Sequence, residues 1–189
     1  MKNLIEQHIT QSIETKQAIL SSGEILQAIE SAAHLCRQTL ACGNKILIAG
    51  NGGSAADAQH IAAELTGRFE KERKGLPAIA LTTDSSALTA IANDYGYAKV
   101  FSRQVEALGS RGDLFIGIST SGNSANIVAA VESAKEQGLA TLCLVGSGGK
   151  LPELCDVAIR IPASRTATIQ ECHIMIGHIL CSLIENAMP

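Results

Sequence analysis

The chain has 189 residues, of which 46% are hydrophobic and 3% aromatic, and its formal charge is −3. This length fits one ordinary domain with a proper hydrophobic core. The slight negative charge and the scarcity of aromatic residues argue against a nucleic-acid-binding protein, because such proteins need cations for phosphates and rings for base stacking. We expect a small ligand or another protein as the partner, and no nucleic acid.

The cysteine pattern and the chain start bear on the compartment. None of the six cysteines has Cys-x-x-Cys spacing, and most have apolar neighbours, as is typical of small core residues in a reducing compartment. Residues 1–8 lack the apolar stretch of a signal peptide, and no apolar run reaches the ~18 residues that a membrane span needs. We therefore predict a cytoplasmic protein without a membrane partner.

Two helices are predicted before the first strand. An amphipathic helix over residues 3–20 carries Ile5, Ile9 and Ile13 on one face, and a second helix ends near Gly43. Two helices in this position cannot both be crossover connections of a sheet. Their apolar faces lie either on the core or at a contact between subunits, and the sequence does not decide between these alternatives.

Five short apolar runs are typical of buried strands, and helical segments separate most of them. The runs are 46–49, 78–81, 114–118, 141–145 and 157–161. After the first strand, an alanine-rich helix is predicted, followed by helices over 85–93, 99–108, 124–137 and 166–186. This alternation predicts an α/β fold with a doubly wound five-stranded parallel sheet in a three-layer αβα arrangement, because five strands are too few for a barrel. We expect a single domain over 1–189, with an N-terminal helical extension over about 1–43.

The first strand leads into a glycine-rich turn, Gly50-Asn51-Gly52-Gly53-Ser54. The glycines turn the chain sharply, and Ser54 is the predicted N-cap of the following helix. Backbone N–H groups at such a helix start attract anions. His60 and Glu64 are four residues apart and share one helix face. This arrangement indicates either a candidate active site or a tight turn followed by an ordinary exposed pair.

A second polar turn, Ser119-Thr120-Ser121-Gly122-Asn123-Ser124, follows the third strand and also leads into a helix. Its hydroxyl groups can surround a phosphate with neutral donors, without a lysine or an arginine. In the strand order two, one, three, four, five, the ends of strands one and three adjoin at the switch point, where such sheets bind ligands. The glycine turn lacks the third glycine of a dinucleotide fingerprint, and Gly146-Ser147-Gly148-Gly149-Lys150 is too short for a P-loop.

The two turns together resemble those of the sugar isomerase (SIS) fold. Further motifs are similar to the phosphoheptose isomerase family over essentially the whole chain: Asp57-Ala58-Gln59-His60 with Glu64, Ala92-Asn93-Asp94, and Ile169-Gln170-Glu171 with His173 and His178. The resemblance implies an aldose–ketose isomerase that converts D-sedoheptulose 7-phosphate to D-glycero-D-manno-heptose 7-phosphate, for bacterial ADP-heptose and lipopolysaccharide or capsule synthesis. It also implies a homotetramer, with active sites near subunit interfaces and one Zn²⁺ per subunit.

The resemblance assigns roles to individual residues. Glu64 and His178 are the implied acid and base of an enediolate mechanism, and which of them abstracts the proton stays open. The implied zinc ligands are His60, Glu64, Gln170 and His178. The implied substrate-binding residues are Asn51, Gly52, Gly53, Glu64, Asn93, Asp94, Ser119, Thr120, Ser121, Ser124 and Gln170.

Other interpretations of these residues stay open. Asn93-Asp94 also fits a plain helix end, and His178 within its apolar segment also fits a core histidine. For the whole chain, the alternative is a non-catalytic SIS tetramer that binds the replication initiator protein. The presence of Glu64 and His178 favours the enzyme, because a binding module does not need them. At Ala167-Thr168, the chain departs from relatives that carry a charged pair.

Overall fold

The computed structural model describes residues 1–187, which form eight α-helices and five β-strands. The strands are β1 (Ile46–Gly50), β2 (Ala78–Ala80), β3 (Leu114–Ser119), β4 (Ala140–Val145) and β5 (Val157–Arg160). The helices are α1 (Lys2–Ser21), α2 (Gly23–Ala41), α3 (Gly53–Thr66), α4 (Ser85–Tyr95), α5 (Ser102–Leu108), α6 (Ala125–Glu136), α7 (Leu151–Leu154) and α8 (Thr166–Glu185), and a 3₁₀ turn spans Tyr97–Lys99.

The strands form one parallel sheet in the order β2-β1-β3-β4-β5, which confirms the predicted doubly wound fold. Alternate residues of each strand point to opposite layers. Ile46 and Ile48 join the core under α2, α3 and α8. Leu47 and Ala49 join the core under α5 and α6. Because both faces of the sheet are covered, its strands are apolar at nearly every position.

The two N-terminal helices differ in what they cover. The buried face of α2, from Ile29 to Leu40, packs against β5 and α8 and so belongs to the core. In α1 only Thr15 and Ile19 are buried. Three larger apolar side chains on one face of α1, each 50–59% exposed in the single chain, form what we call the α1 stripe: Ile5, Ile9 and Ile13.

Helix α8 corrects one expectation. Within the described residues, it is the one helix whose length and composition would allow it to cross a membrane, so the prediction that no segment meets this test was wrong. The apolar composition has another cause in this fold. Half of its most apolar window is buried, because α8 packs against α2 and α3 and against the sheet. A helix that packs in a protein core can be as apolar as a helix that crosses a membrane.

Two further local predictions need correction. The helix predicted over 99–108 is divided into the 3₁₀ turn and α5, because the buried side chains of Val100 and Phe101 turn into the core between them. Four of the six cysteines are buried, but Cys42 is exposed as the C-cap of α2 and Cys155 is half-buried. The prediction of core cysteines was therefore wrong for these two.

Candidate active site

The two polar turns lie side by side at one edge of the sheet. Gly50, the last residue of β1, pairs with Ile118 of β3, so the chain leaves both strands at the same level. A cavity of about 270 Å³ lies between the turns and the start of α8. Its lining consists of Asn51, Gly52, Gly53, Ser54, Ile118, Ser119, Thr120, Ser124, Thr166 and Gln170. A larger groove of about 540 Å³, lined by α2, β5 and α8, shares none of these residues and lies away from the strand ends.

Two glycines open the start of α3 to this cavity. Gly52, with φ of +56°, is the N-cap of α3, and the prediction of Ser54 as the N-cap was wrong because Ser54 lies buried within the first turn. A Cβ atom on Gly53 would lie 2.5 Å from Nε2 of Gln170. Gly53 therefore lets the Gln170 side chain of α8 approach the backbone of α3. No side chain caps this helix, and the N–H groups of Ser54 and Ala55 donate to the carbonyls of Asn51 and Gly52, so the helix dipole is what attracts an anion to this helix start.

Hydroxyl groups cluster in the second turn, as predicted. Ser119 Oγ lies 2.8 Å from Ser124 Oγ and 3.4 Å from Ser121 Oγ. Ser124 is the N-cap of α6, and its hydroxyl makes no capping hydrogen bond. No lysine or arginine from the described residues lines the cavity. The cluster is thus a neutral donor set beside a helix N-terminus, which suits a phosphate group.

Two residues that the sequence analysis did not single out hold Asn51 in place. The amides of Asn51 and Asn126 exchange two hydrogen bonds of 2.9 Å. The hydroxyl of Tyr97 donates a third, also of 2.9 Å, to Asn51 Oδ1. Asn126 is buried in the first turn of α6, and Tyr97 belongs to the 3₁₀ turn after α4. The only signal in the sequence was an asparagine just after the serine turn, and no spacing links it to Asn51.

Three predicted metal ligands converge on each other. The ligand atoms of His60, Glu64 and His178 all lie within 4.8 Å of one another. His60 Nε2 is 2.9 Å from His178 Nε2 and 3.2 Å from Glu64 Oε1. Two ligands at the usual bond lengths of a tetrahedral zinc site are about 3.4 Å apart, which is close to these separations. Two imidazoles and a carboxylate in this arrangement fit a zinc ion.

The cluster lies where α3 and α8 run side by side. Gly53 contacts Gln170 at one end, and Ile61 contacts Gly177 next to the His60–His178 pair. Gly53 and His60 both belong to α3, and their spacing in the sequence corresponds to two helical turns, or roughly 10 Å. The Gln170 amide packs on Gly53 at the cavity end of this helix contact, and its role as the fourth zinc ligand stays a prediction.

Asn93 and Asp94 lie outside the cavity. Both are exposed at the end of α4, where Asn93 Nδ2 donates a 2.8 Å hydrogen bond to Asp94 Oδ1. The 3₁₀ turn that follows them in the chain contacts the site, because the Tyr97 hydroxyl donates a hydrogen bond to Asn51. Their role as substrate-binding residues stays a prediction.

Burial shifts the pKa of two groups near the site. Asp57 is half-buried, and its Oδ2 atom has no hydrogen-bond partner among the described residues. Burial raises the pKa of Asp57 to about 6, although nearby His60 opposes the shift. His173 is fully buried, with Nε2 3.2 Å from the Val145 carbonyl oxygen, and burial lowers its pKa to about 4 despite that contact. His173 is thus a neutral, buried residue at pH 7.

Known proteins are similar to this chain over nearly its whole length. Residues 8–146 match the family model of the SIS domain. The phosphoheptose isomerase of Aneurinibacillus thermoaerophilus is 56% identical over 189 residues, which are 100% of this chain and 96% of that protein. The solved phosphoheptose isomerase of Neisseria gonorrhoeae is 47% identical with a TM-score of 0.93, covering 98% of this chain and 99% of that one. That of Francisella tularensis is 39% identical, also with a TM-score of 0.93, covering 97% of each chain. The chain belongs to the phosphoheptose isomerase family of SIS-domain enzymes.

Proposed function

We propose that the protein interconverts D-sedoheptulose 7-phosphate and D-glycero-D-manno-heptose 7-phosphate through an enediolate. The observation that carries this proposal is the convergence of His60, Glu64 and His178 in a chain of the phosphoheptose isomerase family. An aldose–ketose isomerisation moves a proton between adjacent carbons, so it needs an acid–base pair at one place. Glu64 and His178 are the residues proposed to supply it.

The substrate phosphate is proposed to bind in the second turn. The hydroxyls of Ser119, Thr120, Ser121 and Ser124 and the N-terminus of α6 are the proposed donors. A heptose 7-phosphate carries its phosphate at the end of the carbon chain opposite to C1 and C2, where the proton moves. The roughly 10 Å between Gly53 and the histidine pair therefore suits this substrate, because the two ends must be held apart.

The middle of the sugar is proposed to contact the residues between these two places. Asn51, Gly52, Gly53 and Gln170 line the cavity next to the phosphate-binding turn and can bond sugar hydroxyls. Asn93 and Asp94 are kept as proposed contacts on the side of α4. The reciprocal amide pair with Asn126 fixes Asn51, so Asn51 presents one orientation to the substrate.

We propose one Zn²⁺ per subunit, held by His60, Glu64 and His178, with Gln170 as the predicted fourth ligand. A bound zinc ion would supply positive charge that polarises the sugar carbonyl. The chain's own groups orient the sugar and carry the proton. The proton-abstracting step is left to either Glu64 or His178, because a carboxylate that binds metal is less free to act as a base.

We further propose a cytoplasmic homotetramer with active sites near subunit interfaces. The exposed α1 stripe supports subunit contact, and the 48% exposure of the His60 side chain in the single chain leaves room for a neighbouring subunit to complete the site. The heptose phosphate product is proposed to supply ADP-heptose for lipopolysaccharide or capsule. A sugar phosphate substrate and six free cysteines fit a reducing cytoplasm.

The deciding experiment incubates the purified protein with sedoheptulose 7-phosphate and measures aldose phosphate over time. We expect turnover that a chelator abolishes and added zinc restores. Sedoheptulose without the phosphate should react far more slowly, because it has no group for the hydroxyl turn. Absence of aldose with zinc present would contradict the proposed function and would favour the non-catalytic binding module.

A further inference from the structure

A buried ion pair fastens the loop between α3 and β2 to the end of α8. Glu185 is 3% exposed, and the side chain of Arg73 is 4% exposed. Arg73 Nε lies 3.1 Å from Glu185 Oε1. The carboxylate of Glu185 also accepts hydrogen bonds of 3.1, 2.8 and 2.8 Å from the backbone N–H groups of Phe69, Glu70 and Lys71. We call this ion pair the Arg73–Glu185 clamp.

The clamp bonds the main chain of Glu64 directly and is connected to His178 through Phe69. The Arg73 guanidinium donates 2.9 Å hydrogen bonds to the backbone carbonyls of Glu64 and Leu65. These carbonyls lie in the last turn of α3, where helical partners are missing, so Arg73 fixes the main chain that carries Glu64. On the other side, the Phe69 ring stacks on the His178 imidazole, with centroids 5.7 Å apart and an angle of 26° between the planes. The Glu185 carboxylate holds Phe69 in this position, because it accepts a hydrogen bond from the Phe69 backbone N–H.

The clamp pairs one positive side chain, Arg73, with one negative side chain, Glu185. Burial alone would raise the pKa of Glu185, but the three backbone N–H groups and Arg73 outweigh it and lower this pKa. A buried ion pair is seldom more stabilising than apolar side chains of the same volume. Fold stability alone therefore does not explain why two charged side chains occupy this place. The backbone groups to which they are hydrogen-bonded do explain it. All hydrogen bonds from the clamp to the backbone end on the segment 64–74, which carries Glu64 and Phe69.

We propose that Arg73 and Glu185 are positioning residues, which hold Glu64 and His178 in the relative geometry that zinc binding and proton transfer require. The inference rests on the proposed function of this site. Neither residue lines the cavity at the strand ends, and both act through the backbone of α3 and the Phe69 ring.

The test compares Arg73→Met, Glu185→Leu and the double variant, with Lys74→Met as the matched control because Lys74 is the exposed cation next to Arg73. Zinc affinity is measured by competition with a chromophoric chelator, next to kcat, KM and the free energy of unfolding. Each single variant should lose about 10- to 100-fold in zinc affinity, the usual effect of removing a group that orients metal ligands. We expect kcat to fall in parallel and KM to change by less than about twofold, because the phosphate-binding turn is untouched.

The double variant separates positioning from stability. It should regain much of the free energy of unfolding that the single variants lose, because it leaves no unpaired buried charge. It should not regain zinc affinity or kcat, because the hydrogen bonds to Glu64 and Phe69 stay absent. Arg73→Lys keeps the charge but lacks the planar fork, so it should fold and still bind zinc more weakly.

Wild-type zinc affinity and kcat in the double variant, or in folded single variants, would overturn the proposal. A wild-type protein that fails to isomerise sedoheptulose 7-phosphate would contradict the proposed function instead. In that case the zinc titration still decides the role of the clamp, since equal zinc affinity in all variants would overturn it without any reference to turnover.

Discussion

Single side chains of the cluster carry the first prediction. Glu64→Gln and His178→Ala should each reduce kcat by at least ~100-fold, the usual effect of removing a positioned proton-transfer group. Both side chains lie on helices whose packing does not depend on them, so the variants should fold and assemble normally. Steady-state kinetics with sedoheptulose 7-phosphate provide the measurement, with Glu132→Gln on the exposed side of α6 as the control. Unchanged turnover in both variants would remove these residues from the mechanism.

Asp57 carries a prediction about stability and pH. Its pKa is raised from 3.8 to about 6, so the folded protein holds a proton there between these values that the unfolded chain releases. Stability therefore falls as pH rises through this window, and the whole penalty is present above about pH 6. The full shift corresponds to about 3 kcal/mol, and partial exposure reduces this to on the order of 1 kcal/mol.

The Asp57→Asn variant removes that penalty. Its free energy of unfolding should exceed that of the wild type at pH 7.5, and the advantage should be nearly gone by about pH 3, which lies below the pKa of Asp57 in both states. Denaturant unfolding at both pH values, with a chelator present and at one protein concentration, measures the difference. If the difference in free energy of unfolding stays constant between the two pH values, burial does not raise the pKa of Asp57.

At the residue scale, much of the site could be predicted from the sequence. His60 and Glu64 share a helix face by spacing, and the serine turn indicates a phosphate by its donor chemistry. The partners Asn126 and Tyr97 could not be found in this way, because hydrogen bonds between residues 51, 97 and 126 follow from the packing of three separate elements. The position of the Gln170 side chain could not be predicted either, because it depends on the space next to Gly53, which has no side chain.

At the element scale, the contact between α3 and α8 depends on Gly177. A Cβ atom at this position would lie 2.7 Å from Ile61 Cδ1 and 2.9 Å from Ile61 Cγ1. Helix propensity alone would make Gly177→Ala stabilising by about 1 kcal/mol. Overpacking of a core contact destabilises by typically 1–3 kcal/mol, so the two effects oppose each other and we expect the larger, steric one to prevail.

Gly177→Ala should therefore lower the free energy of unfolding by about 1 kcal/mol and push α3 away from α8. Because Gly177 and Ile61 are next to His178 and His60, zinc affinity and kcat should fall as well. Adding Ile61→Val removes the Cδ1 atom nearest to the new methyl group and should restore part of both quantities, because the Cγ1 atom at 2.9 Å remains. A Gly177→Ala protein that is more stable than the wild type, with unchanged zinc affinity, would show that the helices have room to spare.

The elements themselves were mostly predictable, and the exceptions have physical reasons. All five strands lie within a residue or two of the predicted runs, because burial on both faces demands continuous apolar residues. The four-residue helix α7 was missed, since so short a segment has no periodicity to detect. The start of α3 was misplaced because a glycine N-cap at positive φ has no distinctive side chain.

For the whole molecule, sequence and single-chain structure agree on the fold, and the single chain leaves the α1 stripe exposed. The α1 stripe exposes three large apolar side chains along one side of a helix, while Gln7 points to the opposite side. Contiguous exposed apolar side chains of this size are typical of protein–protein contacts. The core cannot cover them, because α2 already occupies the layer next to β5 and α8.

Introducing two charges into the stripe tests whether subunits meet there. Ile9→Glu with Ile13→Glu should dissociate the proposed tetramer, because burying an unpaired carboxylate at an apolar contact costs several kcal/mol. The isolated subunit should remain folded, since both positions are exposed in the single chain. Light scattering after size-exclusion chromatography measures the mass, and Gln7→Glu adds a charge to the opposite side of α1 as the control. Turnover should fall with dissociation if neighbouring subunits complete the active site, so an intact tetramer in the double variant would place the subunit contact on another face.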